Sequence, residues 1–119
     1  MDDCRVEAVL RLVESVPPGS VSTYGQIGRI AGIGPRIVGR IMAEWGATVP
    51  WWRVVSAAGR LPVRLGETAV AHWQDEGVAL RGGGGTVDFR GARVSDEWLD
   101  AQWECISAEL DAAEDRTLE

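Results

Sequence analysis

Lysine does not occur in these 119 residues, and histidine occurs once, at His72. A single histidine excludes a metal site built on two. The two cysteines, Cys4 and Cys105, stand near opposite ends of the chain with no Cys or His at ligand spacing. Both read as reduced thiols, and neither a metal nor another cofactor is expected. No apolar run approaches the ~18 residues of a membrane span, and Met1-Asp2-Asp3 is the reverse of a basic signal-peptide start. The expectation is a cytoplasmic protein, nucleoid-associated if bacterial, with no membrane partner. The four glycines at 82–85 lack the Lys-Ser/Thr ending of a phosphate loop, so they read as a flexible turn.

What is present describes an ordinary globular chain, with 45% hydrophobic and 25% charged residues at the length of one domain. A chain of this size buries a core without help from disulfides or metal. The net charge of −6 would argue against a polyanionic partner if it were evenly spread. It is not: residues 5–64 carry eight arginines against three acids, a balance of +5, and residues 65–119 carry four against thirteen, a balance of −9. The first half can therefore meet phosphate while the second faces elsewhere. Exclusive use of arginine suits forked contacts to phosphates or bases, though genome composition produces the same bias.

Hydrophobic spacing divides the chain into segments. Val6, Val9, Leu10, Val13 and Val16 recur at helical intervals and stop before Pro17-Pro18-Gly19, which no helix continues through. Thr23-Tyr24-Gly25-Gln26 has the form of a capping box and predicts a short second helix carrying Ile27, Ile30 and Ala31 on one face. Gly32-Ile33-Gly34 breaks it, and Pro35 opens a third helix to about Trp45. The apolar side of that helix holds Ile37, Val38, Ile41, Met42 and Trp45; Arg36, Arg40 and Ala43 share the other side with Gly39 beside them. Two short helices joined by a glycine turn, the second with a basic face and small residues, predict a helix-turn-helix, although such pairs also serve as plain packing units. Further along, a short helix is expected over 67–76, a small hairpin over 77–81 and 86–90, and a last helix capped by Ser95. Leu99, Trp103, Ile106, Leu110 and Ala113 give the last helix an apolar stripe opposite an acidic face, suited to docking on the core or on a second subunit.

The run Val16-Pro17-Pro18-Gly19-Ser20-Val21-Ser22-Thr23-Tyr24-Gly25-Gln26-Ile27, then Arg36-Ile37-Val38-Gly39, then Val49-Pro50-Trp51-Trp52-Arg53-Val54-Val55 with Gly59-Arg60 resembles the DNA-binding domain of O6-alkylguanine-DNA alkyltransferases over roughly residues 5–90. Active members read Pro-Cys-His-Arg where this chain has Pro50-Trp51-Trp52-Arg53. An indole cannot accept an alkyl group as a thiolate does, and Trp52 stands where the activating histidine would be. The closer resemblance is to alkyltransferase-like proteins, which usually read Pro-Trp-His-Arg, bind alkylated guanine without repairing it and flag it for nucleotide excision repair. Trp52 departs from that pattern too.

The resemblance, together with the spacing of the last segment, implies a mainly α fold: a helix-turn-helix, winged-helix-like DNA-binding domain with a small β-hairpin and an extra C-terminal helix. Residues 1–94 would form the DNA-binding domain, and 95–119 an acidic amphipathic helix packed on it or on a partner. The implied activity is non-enzymatic: binding of double-stranded DNA carrying alkylated guanine, with nucleotide excision repair proteins as further partners. The third helix would enter the minor groove, where Gly39 and Ala43 allow close approach, and Arg40 would bind DNA beside them. Arg36 would fill the space left by the extruded nucleotide, and Tyr24 would crowd the phosphate and drive its rotation. Met42, Val49, Pro50 and Trp51, with Trp52 near them, would line the pocket, and Arg64 would lie over the flipped base.

A plainer role stands beside each assignment. Tyr24, Trp51 and Trp52 could be core aromatics, Arg36 a solvated helix residue, and Arg53 half of an internal ion pair. Trp73, Trp98 and Trp103 read as core or interface residues. The competing function is a helix-turn-helix transcription regulator or general DNA-binding protein without lesion recognition. Against it, the third helix offers few base-reading side chains beyond Arg36 and Arg40. An enzyme using Cys4 or Cys105 would lie outside the motif altogether.

Overall fold

The computed structural model describes residues 3–118, with side chains as far as residue 114. The start of the chain at Met1-Asp2 and the end of the acidic tail lie outside the described residues. Helix α1 (Asp3–Ser15) buries Val6, Val9, Leu12 and Val13 and stops before the two prolines. Each fully buried Val or Leu contributes about 1.5–3 kcal/mol, which anchors α1 as the centre of the larger core. Strand β1 (Ser22–Thr23) leads directly into α2 (Tyr24–Ala31).

Thr23 caps α2 as its spacing predicts, its Oγ1 accepting from the Gln26 amide at 2.9 Å. The reciprocal half of a capping box is absent, because the Gln26 side chain turns away into the core. At the other end Gly32 takes φ +76°, and both its amide and that of Ile33 donate to the Gly28 carbonyl. Gly28 itself leaves no room for a side chain, since a Cβ there would stand 2.5 Å from the Ile33 carbonyl oxygen. These two glycines allow the tight turn into α3 (Pro35–Trp45), completing the helix-turn-helix.

The apolar side of α3 is narrower than its sequence suggests. Val38 and Ile41 are fully buried, Met42 is half-buried, and Ile37 and Trp45 are 39% and 40% exposed. Ile37 flanks the buried stripe, and Trp45 is the last residue of the helix.

Two 3₁₀ turns, Gly46–Thr48 and Trp51–Arg53, carry the chain to β2 (Val54–Val55). β2 pairs in parallel with β1, Ser22 opposite Val54 and Thr23 opposite Val55. Helix α4 (Val63–Glu76) begins four residues earlier than expected, because Pro62 presets the backbone and its carbonyl accepts from the Leu65 amide at 2.8 Å. The hairpin β3 (Leu80–Arg81) and β4 (Thr86–Val87) is antiparallel, as expected, but ends early. Asp88 accepts from the Arg90 amide at 3.1 Å and starts a helical turn, α5 (Phe89–Ala92), in place of further strand.

Ser95 caps α6 (Asp96–Leu118), with its Oγ accepting from the Trp98 amide at 3.1 Å. Leu99 and Ile106 are buried and Trp98, Trp103 and Leu110 half-buried against the core that α1, α2 and α3 share. The stripe thus covers the domain's own helices. A second, smaller cluster joins Val21, Val55, Ala69, Trp73 and Val87 beneath the strands. The chain is a mainly helical, winged-helix-like domain with small β elements and an extra C-terminal helix. No helix among the described residues is long and apolar enough to cross a membrane.

Candidate nucleic-acid interface and base pocket

Arg36 and Arg40, one turn apart, are exposed on α3, and nothing stands within 4 Å of the position a Cβ would take on Gly39 between them. Neither arginine is engaged in the ion pairs of the described residues, which occupy Arg11, Arg29, Arg53 and Arg93. Two cations therefore face outward from a helix with little bulk between them.

Behind this face lies a half-open cavity of about 290 Å³. Gly39, Met42, Ala43, Gly46 and Ala47 form one wall, Leu61, Pro62, Arg64 and Leu65 the opposite one, and Tyr24 and Trp51 complete the lining. The first wall follows from helical spacing, since residues 39, 43, 46 and 47 fall on one side of α3 and its extension, all of them Gly or Ala. Burial pushes the Tyr24 phenol above its ordinary pKa, so its hydroxyl remains protonated and able to donate at neutral pH. Arg64 is exposed at the mouth, where its charge is available to anything that enters.

Trp51 is backed by two flat rings. Trp52 and His72 stack with centroids 3.6 Å apart and planes 4° from parallel. Trp51 meets both nearly at right angles, 5.6 Å from Trp52 and 5.9 Å from His72. His72, Trp73 and Glu76 all project from α4 toward this corner. Trp73 Nε1 donates to the Trp52 carbonyl at 2.7 Å. Arg53 forks onto Glu76 at 3.1 and 2.6 Å and donates to the Val16 carbonyl at 2.9 Å, forming the internal ion pair expected of it. The Trp52 indole N–H lies near the same carboxylate, short of hydrogen-bond geometry. Burial works to raise the Glu76 pKa, but the hydrogen bonds and charge of Arg53 outweigh it and hold the carboxyl below its ordinary value.

Three of the residues assigned to the pocket from sequence do not line it. Val49 is turned into the core and 5% exposed, Pro50 makes the bend into the second 3₁₀ turn, and Trp52 lies behind Trp51 against His72. Met42, Trp51 and Arg64 do line it, as do Tyr24, Gly39 and Ala43 from the groups assigned to DNA. Gly46, Ala47, Leu61, Pro62 and Leu65 were missed. The small-residue spacing along α3 could have revealed the first two; nothing local marks the others.

The cavity contains no thiol. Cys4 and Cys105 are exposed on α1 and α6, and the described residues hold no cluster of His, Cys, Asp or Glu suited to a metal. Fold and site together define a helix-turn-helix domain with a cavity beside its second helix. The family profile of the 6-O-methylguanine DNA methyltransferase DNA binding domain matches residues 5–78, and the chain belongs to that family.

Among its relatives is a DNA base-flipping protein of Vibrio parahaemolyticus serotype O3:K6 (strain AQ3810), 32% identical over 68 residues. The match covers 54% of this chain and 67% of the relative. The DNA base-flipping protein of Escherichia coli (strain K12) is 34% identical over 64 residues, half of each chain. The crystal structure of S. pombe Atl1 in complex with damaged DNA containing O6-carboxymethylguanine superposes with a TM-score of 0.68 at 25% identity. That match covers 80% of this chain and 98% of the other.

Proposed function

We propose that this protein recognises DNA lesions without repairing them. It enters the minor groove with α3, rotates an O6-alkylguanine into the cavity and holds it there with the alkyl group intact. One observation carries the reading: a cavity at the small end of ligand-pocket size opens directly behind the basic, small-residue face of α3. A base extruded from a duplex docked on that face would have somewhere to go.

Each step draws on a named group. Gly39 and Ala43 allow the backbone of α3 close to the groove floor, and Arg40 meets the phosphates. Tyr24, at the first turn of α2, presses on the strand beside the target nucleotide, and Arg36 occupies the gap in the base stack. Extrusion costs a few kcal/mol, less where a lesion has already weakened the pair, so selection begins before the base reaches the cavity. There Trp51 and Met42 offer apolar surface to the alkyl group, and the Arg64 guanidinium covers the base. Because Trp51 has no nucleophilic atom, the alkyl group remains on the base. The bound complex then marks the site for nucleotide excision repair proteins, in the cytoplasm or on the nucleoid.

The deciding experiment is a competition titration of short duplexes with and without one O6-methylguanine, at fixed salt because phosphate contacts are strongly salt-dependent. Tighter binding of the modified duplex by about tenfold or more is expected. Equal binding would reduce the protein to a general DNA binder or a regulator.

A further inference from the structure

The lone histidine has no part in the steps above, and the structure gives it a specific neighbourhood. The centroid distances from Trp51 to Trp52 and to His72 are nearly equal, 5.6 and 5.9 Å, although those two rings are stacked 3.6 Å apart. Trp51 must therefore stand alongside the stack rather than above one ring. Among the described residues its side chain makes no hydrogen bond; it packs on the smaller core cluster, and these two ring edges flank its indole at the cavity. The stack is itself clamped. The Trp52 carbonyl is tied to Trp73, the Arg53 guanidinium lies 5.7 Å from the Trp52 ring centroid, and Glu76 fixes Arg53.

We infer that His72 is a specificity-determining positioning residue. By stacking on Trp52 it braces Trp51, and the braced indole sets how large an alkyl group the cavity accepts. This rests on the cavity being the place of a flipped O6-alkylguanine. A fixed wall favours a small substituent that touches it and excludes one that would need it to move. Without the imidazole, Trp52 loses its stacking partner, and Trp51 can lean back into the vacated space. A methyl group then loses contact while a benzyl group gains room.

The pairing also accounts for the departure of Trp52 from the pattern it resembles. A flat indole at that position needs a flat partner, and His72 and Glu76, one turn apart on α4, supply the ring and the anchor for its neighbour Arg53.

The test measures affinities of the full chain for plain, O6-methylguanine and O6-benzylguanine duplexes, with wild type, H72A and H72F. H72A should shift the benzyl-to-methyl preference by about tenfold toward benzyl, with plain-duplex affinity unchanged. H72F keeps a flat ring and should restore the wild-type preference to within about twofold. Should H72A fail to fold, H72L carries the same test, keeping bulk but not the flat ring. An unchanged preference in a folded H72A or H72L would overturn the role of His72 while leaving lesion binding intact. So would a loss spread equally over all three duplexes. Wild type that does not distinguish any modified duplex from the plain one would instead sink the reading of the cavity, and this inference with it.

Discussion

Gln26 Nε2 donates to Asp96 Oδ1 at 2.9 Å, across 70 residues of sequence, and so ties α2, the first helix of the DNA-binding motif, to the start of the C-terminal helix. The same nitrogen donates to the Val94 carbonyl at 2.9 Å, and the buried Ser22 hydroxyl donates to Gln26 Oε1 at 2.7 Å. Arg29 adds an ion pair to Asp96 at 2.8 Å. Tyr24, two residues before Gln26, is thereby positioned by a segment far along the chain.

The buried and exposed parts of this tie differ in weight. Gln26→Leu would leave the Ser22 hydroxyl and the Val94 carbonyl without their partner, which costs about 2 kcal/mol. Asp96→Ala removes exposed ion pairs and one part-buried hydrogen bond, and leaves Gln26 Nε2 its bond to the Val94 carbonyl, so it should cost much less. Urea unfolding midpoints of the two variants check the order, and equal losses would show that the exposed carboxylate does most of the holding.

Glu76 makes stability sensitive to acid. Its folded-state pKa lies below the ordinary 4.5, so the pair with Arg53 contributes fully above that value and is lost as pH falls through the lower, folded one. Unfolding free energy should therefore decline below about pH 4.5, and Glu76→Gln should flatten part of that decline. Arg53→Leu strands a carboxylate whose side chain is 10% exposed, and is expected to cost about 3 kcal/mol at neutral pH. Thermal melts from acid to neutral pH would reveal a Glu76→Gln curve as steep as wild type if the pair contributed nothing.

The two outward arginines of α3 should separate by function. Arg36→Ala is expected to weaken O6-methylguanine duplex binding by at least about tenfold more than plain duplex binding, because in the proposed complex Arg36 is the group that fills the stack. Arg40→Ala should weaken both alike and lower the salt slope by about one. Titrations at several salt concentrations distinguish the cases, and matching behaviour of the two variants would reduce Arg36 to a phosphate contact.

Trp51→Cys alone should not create a methyl acceptor. The new thiol would sit at the cavity, but the position beside it holds an indole, and the one imidazole nearby lies flat against that indole at 3.6 Å. Mass spectrometry after incubation with O6-methylguanine duplex is expected to find unmodified protein; a methyl adduct on the cysteine would refute the argument.

Much of the helical framework was legible because it rests on local rules. The Pro17-Pro18 stop, the Thr23 cap, the Gly32 turn, Pro35 and the Ser95 cap each act within a few residues of where they are written. The parallel pairing of β1 with β2 was not, since two-residue strands carry no periodicity and their pairing closes a loop of about thirty residues. Gln26 shows the limit of a local motif: its cap predicts a return to Thr23, yet a buried amide could satisfy both its nitrogen and its oxygen only by reaching Val94, Asp96 and Ser22. His72 had no readable role, because its partner Trp52 lies twenty residues away and only the approach of α4 to the second 3₁₀ turn joins them.

The sequence by itself determined the helix-turn-helix, the basic outer face of α3 and an indole without a nucleophilic atom at Trp51, because residue identity and helical period carry all three. Tertiary structure decided how the cavity is walled. The small residues of α3 meet Leu61, Pro62, Arg64 and Leu65 across a gap, and Trp51 is propped by two rings from different segments. A cavity is the space left between elements, and its shape depends on how they pack rather than on what any one of them encodes.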